Sequence, residues 1–128
     1  MTTVLGAEAP PASPPDGPTT TAICNALVGA LKRICGKGPT RMKAYAVEDD
    51  VVLVVANDAL TPVERTLVEG GNAQLVQEAR RALAEEVAND CREQIEAEAG
   101  RRVASLLIQV DPPSDSLFAS LRLQPPGE

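Results

Sequence analysis

From Thr19 onward, apolar residues recur at Ile23, Leu27, Leu31 and Ile34, the spacing of one helix face, and the pattern stops at Gly36. Thr19, Thr20 or Thr21 is expected to cap this helix, and Lys32 and Arg33 complement the dipole in its last turns. Pro39 forbids continuation, and TRMKAYAV then alternates, with Met42, Ala44 and Ala46 opposite Arg41, Lys43 and Tyr45. The acidic turn EDD leads straight into VVLVVA, so these two runs form a hairpin. TPVE, Thr61 to Glu64, combines a Thr cap, Pro at the first helical position and Glu at the third, and starts a short helix that Gly70 and Gly71 interrupt. A long helix follows from Asn72 to Ala99, with Leu75, Val76, Ala79, Leu83, Val87, Cys91 and Ile95 on its stripe and Gly100 as its stop. RRVASLLIQV and SLFASLRL read as a second hairpin around DPPSD. The order is α-β-β-α-α-β-β, an α+β fold whose four-stranded antiparallel sheet, built from two hairpins, carries its helices on one face.

One mismatch of lengths matters. The long helix spans roughly 42 Å at 1.5 Å per residue, whereas strands of about eight residues span about 27 Å. Its far end outruns its own sheet, yet the stripe continues through Val87, Cys91 and Ile95. These three residues are therefore the expected contact with a second subunit. At 128 residues, with a single Tyr and a single Phe, the chain has one modest core that self-association would supplement.

Residues 1–18 hold five prolines among Gly, Ala and Ser with no apolar period, which predicts a disordered Pro/Ala-rich tail. The folded domain is expected over 19–123, with 124–128 a short polar end. The net charge of −6 disfavours nucleic acid and anionic membrane surfaces as partners. Charge is uneven, however: Lys32, Arg33, Lys37, Arg41 and Lys43 fall in a stretch without acids, and Glu85, Glu86, Asp90, Glu93, Glu96 and Glu98 crowd a later one. No run approaches the roughly 18 apolar residues of a membrane span, and the first residues lack the pattern of a secretory signal. A cytoplasmic chain is expected, and three cysteines suit a reducing compartment.

Candidate chemistry is thin. The absence of histidine removes the usual general base, the Ser-His and Cys-His nucleophile pairs and most zinc sites, so no enzyme activity, metal or cofactor is expected. Cys24 and Cys35 lie three helical turns apart, about 16 Å along the axis, too far to share a metal or pair. With Cys91 they read as packing residues. Paired acids such as Glu85 with Glu86, or Glu48 with Asp49 and Asp50, read as solvated surface. Gly36, Lys37 and Gly38 are no P-loop, because the upstream glycine is missing and the order is helix then strand. Turn geometry accounts for the glycines and Pro39, and the cations Lys37, Arg41 and Lys43 form the candidate anion or partner patch.

The segments GKGPTRMKAY, LTPVERTLVEGG and QLVQEARRALAEEV, in this order, resemble the MpsC-like family of small bacterial proteins over residues 19 to 123. That family is named for a component of a sodium-translocating, membrane-potential-generating system. The resemblance implies an association with ion or inorganic-carbon uptake and supplies no active site. The resulting expectation is a non-catalytic accessory protein, acting as a homo-oligomer and docking on a membrane transport complex or another assembly. The alternative is a small-anion or nucleotide sensor that uses the basic turn at 36–43.

Overall fold

The structure, a computed structural model, describes residues 14–126. Helix α1 (Gly17–Cys35) begins inside the stretch expected to be tail, because Asp16 is its cap. The Asp16 carboxylate accepts the Thr19 N–H at 2.9 Å, and hydrogen bonding by Thr19 holds the acid below its ordinary value. Pro18 sits in the first turn, where its missing N–H sacrifices no helical bond. Asp16, Gly17 and Pro18 of the expected tail thus belong to α1 and its cap, and residues 1–13 of that tail lie outside the described residues.

Gly36 ends α1 with φ of 89°, a left-handed conformation that only glycine adopts without strain. Gly38 is constrained differently: a Cβ there would lie 2.8 Å from Val28 Cγ1. The chain folds back against α1 at this point, and Gly38→Val should lower the melting temperature by several degrees in a thermal scan. An unchanged midpoint would show that the loop can move away from Val28.

Strand β1 (Arg41–Glu48) pairs with β2 (Val51–Asn57), and β3 (Val103–Asp111) with β4 (Ser116–Leu123), all antiparallel. The two hairpins join through β2 and β4, giving the order β1-β2-β4-β3. Helix α2 (Pro62–Glu69) has the expected capping box: Thr61 Oγ1 accepts the Glu64 N–H at 3.2 Å, and Glu64 accepts the Thr61 N–H at 2.8 Å. Helix α3 (Ala73–Ala99) runs without a break to a left-handed Gly100. Of the residues between β3 and β4, Pro112–Ser114 form a 3-10 turn that Asp115 closes with φ of 55°.

All three helices lie to one side of the sheet. The core joins Ile23, Leu27 and Leu31 of α1 to Val76, Val87, Cys91 and Ile95 of α3, and to Val52, Val54, Leu117 and Leu121 of the central strands. Val87, Cys91 and Ile95 are each at most 1% exposed, which corrects the reason for assigning them to a subunit contact. Helix α1 packs along α3 and β3 covers its other flank, so the chain itself fills the stripe. The far end is also tied down by polar bonds, from Val103 N–H to Glu96 Oε2 at 2.8 Å and from Arg33 Nε to Asp90 at 2.8 Å.

Candidate functional site

Polar side chains converge at the end of the sheet where β2 stops and β4 starts. Arg80 occupies a core position of α3 and is only 6% exposed. Its Nε and Nη2 grip the Glu64 carboxylate at 2.7 and 2.8 Å, and Nη2 also donates to the Ala59 carbonyl at 2.8 Å. Burial works to raise the Glu64 acid, but the guanidinium and the Thr61 N–H overcome it and hold the carboxyl below its ordinary value. The same residue that caps α2 therefore neutralises a buried charge on α3.

Next to this pair lies a second set of ions. Asp58, at φ of 57°, bonds with Lys37 and Arg65. Arg65 also reaches Asp115 at 3.2 Å, and Asp115 Oδ1 accepts the Leu60 N–H at 2.8 Å. Both left-handed aspartates are thus built into one junction of the β2–α2 loop with the β3–β4 turn, a backbone state that their short polar side chains tolerate. A matching arrangement holds the opposite end of the sheet, where the nearly buried Arg101 donates to the Gln124 and Asp49 carbonyls at 2.9 Å each and pairs with Asp50.

The structure separates the three cations of the sequence-predicted patch. Lys37 is half-buried, donating to the Asp58 carbonyl and 3.4 Å from its carboxylate. Burial and the neighbouring Arg65 push its amine below the ordinary lysine value. Arg41 and Lys43 instead extend from β1 on the side of the sheet away from the helices, beside Tyr45. Burial raises all three thiols, Cys91 to about 11, so they are held in the unreactive protonated form at neutral pH. Among the described residues no cluster of carboxylates and thiols has the arrangement of a metal site.

Sequence reasoning put the helices on one face of the sheet but missed what the bare face carries. Register aligns its outward residues in rows: Arg41, Asn57, Ser116 and Asp111; then Lys43, Val55, Phe118 and Gln109; then Tyr45, Leu53, Ser120 and Leu107; then Glu48, Val51, Arg122 and Ser105. The single Phe and the single Tyr of the chain both stand here, 43% and 49% exposed, with Leu53 at 40% and Leu107 at 68%. A fold that keeps its only aromatics out of its core and groups them with leucines on one surface presents an adhesive patch. A hollow of about 450 Å³ lies between α3 and the sheet, lined among others by Arg80, Val87, Ile108 and Ala119.

The match with a known family covers most of this construction. Residues 16–120 match the family described as Na+-translocating membrane potential-generating system (MpsC). The chain belongs to the MpsC family. The matched span runs from the Asp16 cap through Ser120 of β4, so the Arg80–Glu64 pair, the Asp58 junction and the aromatics of the bare sheet face are all within the MpsC region. No curated protein and no solved structure matches the chain. Membership links it to a membrane system, while no described helix is long and apolar enough to cross a membrane.

Proposed function

We propose that this MpsC chain is a non-catalytic accessory protein of a sodium-translocating, membrane-potential-generating system, cytoplasmic and peripheral to the membrane complex, working as a homo-oligomer through protein contacts. The observation that carries this reading is the bare sheet face, where Tyr45, Phe118, Leu53 and Leu107 are exposed together. Aromatic residues concentrated on a surface are the composition of a contact core. The strong ion pairs elsewhere, Arg80 with Glu64 and Lys37 and Arg65 with Asp58, are engaged with one another and serve the fold.

The test is complementation. In cells deleted for this chain, the sodium-dependent membrane potential, read with a voltage-sensitive dye, should fall, and wild type should restore it. The double variant Leu107→Ser, Phe118→Ser should remain folded by circular dichroism, since both positions are exposed, and fail to restore the potential. An unchanged potential in the deleted cells, or full rescue by the double variant, overturns the proposal.

A further inference from the structure

The rows of the bare face are self-complementary, and we infer that its occupant is a second copy of this chain, stacked face to face about a two-fold axis parallel to the strands. This inference rests on the contact reading of the face given above and specifies its partner. Such an axis lays β1 of one copy over β3 of the other, and β2 over β4, at the same height along the strands. Each row then meets its own reverse. Arg41 lies over the second copy's Asp111, Val55 over its Phe118, Tyr45 over its Leu107, and Leu53 over its Ser120.

Charge follows the same plan. Among the described residues Arg41, Arg122, Glu48 and Asp111 have no ion-pair partner within the chain. In the stacked pair Arg41 gains Asp111, and Glu48 of one copy arrives over Ser105 of the other, one strand away from Arg122. A two-fold axis across the strands also gives Arg41 an acid, Glu48, but sets Leu107, the most exposed leucine among the described residues, on Gln109 and Phe118 on Ser120. The strand-parallel axis instead sets Phe118 on Val55 and Leu107 on Tyr45, and is the arrangement inferred. Four strands of about eight residues, spaced about 4.8 Å, present roughly 500 Å² per copy. A pair buries on the order of 1,000 Å², the lower limit for a specific interface.

Analytical ultracentrifugation of the full chain decides the matter. At about 100 µM, above the micromolar affinity expected for so small an interface, wild type should sediment as a dimer of the 13.4 kDa chain. Arg41→Glu should weaken the dimer at least about tenfold, as charge reversal at a contact does. Adding Asp111→Arg to the same chain should restore it, and Leu107→Lys should abolish it with an unchanged circular dichroism spectrum. Sedimentation of wild type as a monomer overturns the inference, as does a dimer that neither Arg41→Glu nor Leu107→Lys weakens. Restoration by Glu48→Arg in place of Asp111→Arg overturns the strand-parallel axis. A monomeric wild type whose Leu107→Ser, Phe118→Ser variant still fails complementation overturns the second copy and, with it, the homo-oligomer part of the functional proposal, while the accessory role through this face stands, because the face then serves a different protein.

Discussion

Arg80→Leu should destabilise the chain by about 3–5 kcal/mol in urea denaturation, because it strips the counter-charge from Glu64 and leaves the Ala59 carbonyl without its donor. Glu64→Gln should also destabilise, while the double variant Arg80→Leu, Glu64→Gln should recover part of the loss, since glutamine can still complete the capping box and no unpaired charge remains. The effect carries a pH signature. The fold depresses the Glu64 acid from its ordinary value of 4.5, so the pair's stabilisation is fully present above that pH and disappears as pH falls through the lower folded value. The gap between wild type and Arg80→Leu should be full at pH 7 and narrow below pH 4.5. A loss under about 1 kcal/mol at pH 7 would mean that the pair behaves like a surface ion pair.

Arg80 shows where the residue pattern stops being informative. The long helix offers two apolar phases a single residue apart, one through Leu75 and Ala79 and one through Val76 and position 80. The first appears more apolar in sequence, because the second contains an arginine. In the structure Val76 and Arg80 are buried while Leu75 and Ala79 are exposed, since the carboxylate that makes a buried guanidinium tolerable comes from another helix. Only the TPVE cap hinted at its whereabouts, by fixing Glu64 at the start of α2. Element order and strand pairing were legible because periods of 3.6 and 2 are local properties. Counter-charges across loops are not.

The apolar character of the bare face was hidden for a related reason. VVLVVA is apolar at almost every position, the composition of a strand covered on both sides, so nothing in it marks Leu53 as outward. Alternation in β1 did place Arg41, Lys43 and Tyr45 on one side, and the structure keeps them there. What could not be read was which apolar side chains of β2, β3 and β4 stand on the side that the helices leave bare. The sequence-predicted patch accordingly splits, with Lys37 taken up by Asp58 and the other two cations becoming one margin of a hydrophobic surface.

Ile95→Glu separates the two places a subunit contact could lie. At an interface on α3 this substitution would yield a folded monomer, whereas in the chain's own core it places a carboxylate where Ile95 is 0% exposed. Burying that charge without a partner costs several kcal/mol, on the scale of the whole stability of a small domain. The expected result is therefore loss of the native circular dichroism spectrum and a cooperative melt that disappears. Ile95→Val, which removes one methyl, should fold and lose about 1 kcal/mol. The contrast with Leu107→Lys is the point of the comparison. There a charge enters a side chain that is 68% exposed, so the single chain should keep its spectrum and melting behaviour while the dimer is lost. A folded, monomeric Ile95→Glu together with a dimeric Leu107→Lys would return the subunit contact to the long helix. An unfolded Ile95→Glu with a folded, monomeric Leu107→Lys places it on the open face of the sheet.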